Sequence, residues 1–365
     1  MSKPKCSVIL PYYRRKNLLF NALRSLDKQS RMNNEFEVIV INDGSDDLME
    51  EEIKKQNYSK DIRYYYHERG ANSGASFARN KGIEKANGDI LIFMDCDEIA
   101  KPDFVFSHYI FFQNIQDEIL QVGFRNNIVP YAEVKLENID NVLTTADVRE
   151  KVFEKFSYNF GSLIGAWGLV FSCNISVHRK TVEKYGGFDE NFKGWGLEDI
   201  EFGYRLNKNG VKIVFNPNIY LYHQYHNFNL EGFKEGFGKN LEYFISKYDG
   251  DLHALQLSIF RDFYDQEKCL PLIEAEVQKG FDSTEAMNNV WISFFDKFEN
   301  VLRTLDGIME KKQVTLICPT IEKVENMLKE YEECFLTIVC NKSDVGLIGW
   351  VQTCYLSNKI RLFVI

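Results

Sequence analysis

The first hundred residues repeat one pattern, a short apolar run followed by an amphipathic stretch, and few folds accommodate it. Cys6–Leu10 reads as a buried strand closed by Pro11, and Lys16–Ser30 sets Leu19, Leu23 and Leu26 at helical spacing. Phe36–Ile41 is predicted as a second strand. The turn Asp43-Gly44-Ser45-Asp46-Asp47 follows it, with acids that can cap the next helix. Ile62–His67 is a third strand, Ser73–Ala86 a helix stopped by Asn87-Gly88, and Ile90–Met94 a fourth strand. Strand and helix alternating at this spacing predict an α/β protein, a parallel sheet with helices on both faces. In such sheets ligands collect at the carboxyl ends of the strands. Pro11-Tyr12-Tyr13, Asp43 and Asp95-Cys96-Asp97 fall there.

Composition narrows the function. Of 365 residues, 45% are hydrophobic and 27% charged, a mixture that builds a sizeable core. The 53 Asp and Glu outnumber the 44 Lys and Arg, for a net charge of −9. Nucleic-acid binding needs clustered cations, so no nucleic acid is expected as a partner. A metal-chelated small anion remains compatible. The start of the chain has neither a signal-type apolar core nor a small-residue cleavage site. The run from Leu163 to Cys173 falls far below the roughly 20 residues that span a bilayer. Eight scattered cysteines without a CxxC pair predict reduced thiols rather than zinc or disulfides. The expectation is a cytoplasmic protein with no transmembrane segment, with peripheral association at the inner membrane face left open.

Beyond residue 100 the pattern loosens. A Gly-rich, aromatic stretch leads to Gly186-Gly187-Phe188-Asp189-Glu190 and Gly194-Trp195-Gly196-Leu197-Glu198-Asp199. A helix over Ile200–Asn209 and a strand over Lys212–Phe215 are predicted next, before Tyr222-His223-Gln224-Tyr225-His226. Between 284 and 312, Trp291, Phe294, Phe298, Val301, Leu305 and Ile308 recur at steps of three and four. This heptad-like stripe is expected to be a buried seam or a homo-oligomer contact. Val314–Cys318, Glu322–Glu333, Phe335–Cys340 and Ile360–Ile365 read as a small α/β lobe.

Several residues can do chemistry. Asp95 and Asp97 follow a strongly apolar strand, where two carboxylates cannot both be buried unpaired, since each ion costs several kcal/mol to desolvate. A hard divalent cation resolves this by bridging carboxylate and diphosphate oxygens. Solvated loop acids are the plain alternative. Asp43 can face a base and ribose, or merely close an Asx turn. Gly70–Asn80 opens a helix with small residues whose amides, with Arg79, can take an anion, or serve only helix–sheet packing. Glu198 can orient an acceptor and Asp199 can take its proton, or both can complement a helix dipole. A carboxylate with the ordinary pKa of about 4 is already ionised, as a base must be. His223 or His226 can ligate a metal, or be hydrogen-bonded histidines at a strand end. Trp167 and Trp195, each beside glycines, can offer flat faces to a pyranose or pack in a core.

In order and spacing, S-V-I-L-P-Y-Y-R-R, V-I-V-I-N-D-G-S-D-D, G-x-N-x-G-x-S-x-A-R-N-x-G and I-L-I-F-M-D-C-D resemble the family 2 glycosyltransferases of the GT-A fold. G-G-F-D-E-x-F-x-G-W-G-L-E-D resembles the galactosyltransferase-type half of chondroitin-polymerase-like and β-1,4-galactosyltransferase-like enzymes. The match runs over roughly 5–230, and Arg14 departs from the family's usual Asn. The resemblance implies a mostly parallel GT-A nucleotide-diphospho-sugar transferase domain over 1–235, with a nucleotide-binding half (1–100) and an acceptor half (101–235). A helical connection over 236–280 and an accessory lobe over 281–365 follow. By resemblance, Pro11, Tyr12 and Asp43 border the base with Asn72 and Arg79 nearby, and Asp95 faces the ribose. Asp97 and His223 hold the metal, with His226 in reserve, while Glu198 and Asp199 serve the acceptor, Asp199 as base. Trp195 is expected against the donor sugar. The implied cofactor is Mn2+ or Mg2+, the donor a UDP-sugar, the acceptor a glycan or peptide, and the transfer inverting.

Two other readings compete. A non-catalytic nucleotide-sugar or glycan binding module has little physical reason to keep Asp95, Asp97, Glu198 and Asp199 together. A nucleotidyltransferase needs a Gly-rich loop with Arg and Lys just after the first strand, and that loop is missing.

Overall fold

The computed structural model describes residues 3–251 and 313–364, except 48, 131, 133, 156, 163, 164, 228, 229, 250, 331–334 and 355–358; between 252 and 312 it describes only 275 and 278–280. The stripe from Trp291 to Ile308 lies outside the described residues. Strands β1 (Cys6–Tyr12), β2 (Phe36–Asp43), β3 (Asp61–His67) and β4 (Ile90–Met94) are parallel and ordered β3-β2-β1-β4. Helices α1 (Lys16–Asp27), α2 (Glu50–Lys55) and α3 (Ala75–Lys85) connect them.

Side chains alternate across a strand, and here each side has its own core. Ile9, Leu91 and Phe93 join one apolar cluster with Ala78 and Ala86 of the α3 side. Val8, Leu10, Ile90, Ile92 and Met94 join the other with Leu19, Leu23 and Leu26 of α1. Helix α3 lies so close to the sheet that a Cβ on Gly82 would sit 2.2 Å from Ile9 Cγ2. Strand β1 continues through Pro11, where the sequence predicts a stop. Its pairing with β4 ends at Ile9 opposite Phe93, so from Leu10 onward β1 has a neighbour on one side only. Proline is tolerated in that edge-like setting.

Past β4 the sheet becomes mixed. Its elements are β5 (Glu98–Ala100), α4 (Phe104–Asn114), β6 (Ile119–Ile128), β7 (Thr144–Thr145), α5 (Glu150–Lys155), β8 (Asn174–His178), α6 (Arg179–Tyr185), α7 (Glu198–Lys208), β9 (Lys212–His223) and α8 (Leu230–Lys247). The order continues β4-β8-β6-β9-β5, with β7 on β6. Strand β8 is antiparallel to β4 and β6, and β5 to β9, whereas β6 and β9 are parallel. Strand β9 is longer than predicted, because the β6–β9 ladder resumes at Phe124 opposite Tyr220 after an irregularity.

The C-terminal elements β10 (Gln313–Ile317), α9 (Ile321–Glu330), β11 (Phe335–Cys340), α10 (Val345–Thr353) and β12 (Ile360–Val364) build a second sheet, parallel and ordered β10-β11-β12. Helix α10 has no counterpart in the sequence reading. Leu336, Ile338, Val351 and Leu362 belong to the same apolar cluster as Val8 and Ile92. Next to the β9 irregularity, Gln352 of α10 accepts the Phe215 N–H and donates to the Phe215 carbonyl, both at 2.7 Å. No helix among the described residues is long and apolar enough to cross a membrane, and the described cysteines are free.

Candidate active site

The tight turn from β4 to β5 carries Asp95-Cys96-Asp97-Glu98, closed by a hydrogen bond from the Glu98 N–H to the Asp95 carbonyl at 3.2 Å. Cys96 points into the core. Strand β5 pairs with β9 so that Glu98 stands opposite His223, and the Gln224 N–H donates to the Asp97 carbonyl at 2.8 Å. The ladder therefore delivers His223, and three residues on His226, to Asp97. One ligand atom from each of Asp97, His223 and His226 lies within 4.8 Å of the others. Both imidazoles, the first choice and the reserve, reach the carboxylate. His226 Nε2 is 3.2 Å from Asp97 Oδ2, and His223 Nδ1 is 3.6 Å from Asp97 Oδ1. Arg15 Nη1 also pairs with Asp97 and lies 2.9 Å from His226 Nε2.

Asp97 is buried, and its Oδ1 has no hydrogen-bond partner among the described residues. Burial opposes its charge, yet His223, His226 and Arg15 hold its carboxyl well below the usual carboxylate range. At His223, burial and then Arg125 act to lower the pKa, but Glu98 and Asp97 outweigh them and raise it. One carboxylate oxygen without a partner among the described residues and two imidazoles form a mixed nitrogen–oxygen donor set of the kind that takes divalent transition metals, so the residues present fit Mn2+ better than Mg2+.

A second group centres on Arg79. Its guanidinium, 4% exposed, donates to Glu198 Oε1 at 3.1 Å and Asp95 Oδ1 at 2.9 Å, and lies over the Phe188 ring. Arg79, expected beside the nucleotide, is thus a buried bridge between the end of β4 and the start of α7. The preceding loop needs glycines. Gly194 and Gly196 have φ of +76° and +94°, and a Cβ on Gly196 would meet the Phe237 ring at 2.8 Å. Leu197 itself is left-handed at φ +71°. The loop exposes Trp195, whose ring centroid lies 5.8 Å from that of Phe237. Trp167, by contrast, is buried edge-to-face on Tyr204 and belongs to the core.

Asp199 lies in the first turn of α7 and accepts the Ile200 N–H at 2.8 Å and the Ser172 N–H at 3.3 Å. Burial, then the adjacent Glu198 charge, pushes its carboxyl up to about 7, against the pull of Arg79 and those two N–H groups. This corrects the expectation of an ordinary carboxylate. A base poised near neutrality retains a stronger pull on a proton than an acid of pKa about 4.

A third group sits at the ends of β1 and β2. Asp43 ends β2, and Gly44 follows at φ +78°, where a Cβ would strike Arg69 at 2.5 Å. Burial raises the Asp43 carboxyl despite hydrogen bonds from Ser73 and the Gly74 backbone and the Arg69 charge. Asp43 therefore meets the turn that carries Asn72, itself exposed. Tyr12, beside half-buried Pro11, donates its hydroxyl to Asp47. The Tyr13 ring has Arg69 at 4.2 Å and Arg14 at 5.1 Å. Sequence reasoning missed Arg15, Asp47, Arg69 and the Glu98–Arg125 pair. The only signal for Arg15 was a basic pair directly after the first strand.

Acids and imidazoles gathered at the carboxyl ends of the strands mark the edge where an α/β sheet of this kind takes its ligand. The Glycosyltransferase like family 2 model matches residues 7–270, and the chain belongs to that family. It is 27% identical over 281 residues to the uncharacterized glycosyltransferase YfnE of Bacillus subtilis, covering 67% of this chain and 71% of that one. It is 31% identical over 241 residues to the hyaluronan synthase of Pasteurella multocida, covering 60% of this chain but only 24% of the synthase. The fold is like that of the mannosyltransferase PcManGT from Pyrobaculum calidifontis, solved with GDP-Man and Mn2+. That likeness has a TM-score of 0.51 at 14% identity, over 82% of this chain and 84% of the other.

Proposed function

We propose that the protein transfers a hexosyl group from a UDP-sugar to a glycan or peptide acceptor, with inversion, in a reaction that depends on Mn2+ or Mg2+. The observation that carries this reading is the meeting of Asp97, His223 and His226 one turn away from the Asp95–Arg79–Glu198 bridge and Asp199. Asp97 with His223, and His226 beside them, would hold the cation. When bound, it supplies Lewis-acid charge to a departing diphosphate, so that no proton need be delivered there. Pro11, Tyr12, Asp43 and Asn72 border the base, Asp95 the ribose, and Trp195 offers a flat face to the sugar. Glu198 orients the acceptor hydroxyl and the Asp199 carboxylate takes its proton. The acceptor oxygen bonds to the anomeric carbon as the carbon–oxygen bond to the diphosphate breaks, and the bonding pair leaves with the diphosphate. Attack opposite the leaving group inverts the centre. The W-G-L-E-D loop is the acceptor side in this scheme.

The test is UDP release from a panel of UDP-sugars with and without Mn2+. Asp97→Ala is expected to abolish the Mn2+-stimulated part, and undiminished stimulation in that variant would remove the metal assignment. In parallel, a matching nucleotide at a hundred times its dissociation constant is expected to stabilise the fold by about 2.7 kcal/mol, which identifies the base.

A further inference from the structure

His223 has a second buried carboxylate beside it, from the residue that follows Asp97. Glu98 is wholly buried, and its Oε1 lies 3.1 Å from His223 Nδ1. Asp97 Oδ1, at 3.6 Å from the same nitrogen, is beyond hydrogen-bond distance. The same Glu98 oxygen accepts from Arg125 Nε at 2.9 Å. Arg125 comes from β6, and its backbone N–H donates to Asp147 Oδ2 at 2.7 Å. Asp147 is in turn gripped by the buried Arg149 through Nε at 2.9 Å and Nη2 at 2.6 Å. Glu98 is therefore fixed by the sheet and not by the histidine.

A buried carboxylate next to Asp97 is costly to desolvate, and the β5–β9 register puts it opposite His223. The Oε1 oxygen that accepts from Arg125 is an acceptor toward His223 as well, so the nitrogen facing it must carry the proton. In neutral imidazole the lone pair then sits on Nε2. We propose that Glu98, anchored by Arg125, is the positioning residue of His223. It fixes the ring's orientation and tautomer so that Nε2 is presented to a divalent cation, and it thereby sets the affinity of the site. The inference rests on the reading of His223 as a metal ligand.

The experiment uses the full chain, labelled with 15N-histidine for tautomer assignment in the metal-free state and titrated with MnCl2 by calorimetry. The wild type is expected to carry its His223 proton on Nδ1. Glu98→Ala is expected to weaken Mn2+ binding by about 10–100-fold, the range seen when such an outer partner is removed. Glu98→Gln keeps an oxygen able to accept from both donors, so it should retain the tautomer and bind Mn2+ more tightly than the alanine variant. A wild-type His223 protonated on Nε2, or a Glu98→Ala protein with undiminished Mn2+ affinity, overturns the proposal. Should Glu98→Ala fail to fold, the wild-type tautomer and the glutamine variant decide. His223→Ala separates the two levels: unchanged Mn2+ binding there defeats the metal reading itself, whereas loss there with no loss at Glu98 defeats only this inference.

Discussion

The two aspartates of D-C-D end in opposite environments although one residue separates them. Asp95 shares a guanidinium with Glu198, and that guanidinium, from Arg79, is 4% exposed. Asp97 also has a guanidinium, from Arg15, but this one is 39% exposed, and Asp97 Oδ1 still has no hydrogen-bond partner among the described residues. A buried arginine bridging two carboxylates is a permanent part of the fold. A half-exposed one can swing into water at little cost. Under the proposed metal role, the difference teaches where an incoming cation would compete: at Asp97, whose guanidinium partner is half-exposed, and not at Asp95.

The strongest way to break this division is at its chemical end. Asp199→Asn is expected to lower kcat by about 10²–10⁴-fold, the usual contribution of a positioned base, while Mn2+ and nucleotide binding persist in titrations. A small effect on kcat would move the base elsewhere. Next, Arg79→Ala is expected to destabilise the protein by about 3 kcal/mol in urea unfolding. That is the low end for stripping one partner from a buried pair, because a third of the Asp95 side chain is exposed. A cost near zero would mean that Arg79 is no structural bridge.

Arg15→Ala sharpens the other half of the comparison. Asp97 is buried but its Arg15 partner is 39% exposed and screened by water, so the pair is worth about 1 kcal/mol and Mn2+ binding without nucleotide should tighten by about fivefold. Weaker binding in that calorimetric titration would show that Arg15 does not compete for the site. The smallest effect is a displacement of the pH profile. Burial and then Glu198 have raised Asp199 to about 7, and the base must be ionised, so kcat/KM is expected to fall as pH drops through about 7. Glu198→Gln removes a neighbouring negative charge and should move that limb to lower pH. An acid limb unmoved by the substitution would assign it to another group.

Much of this was legible in the sequence because it depends on local pattern. The runs Cys6–Leu10 and Ile90–Met94 are apolar on both faces, so their place in the middle of a covered sheet follows from composition, and D-C-D then falls at a strand end. The Y-H-Q-Y-H segment marked both imidazoles. The rest depends on pairing across long separations. Glu98 lies in a three-residue strand, and its role follows only from register with a strand 125 residues away. The raised Asp199 carboxyl follows from burial, which no motif encodes, and Arg79 looked like an anion-binding residue because its second carboxylate comes from α7. The Trp195 loop showed its glycines, but its support, Phe237 of α8, belongs to a segment expected only as a connection.

The amide of Gln352 has a practical consequence. The family's shared segment stops at residue 270, yet Ile338, Val351 and Leu362 finish the lining beneath Val8 and Ile92, and Gln352 fastens the strand that ends in His223. A shortened gene product cut at the homology limit would bare that greasy underside and leave a backbone kink unsupported, so it should be recovered as insoluble debris rather than as a smaller working catalyst.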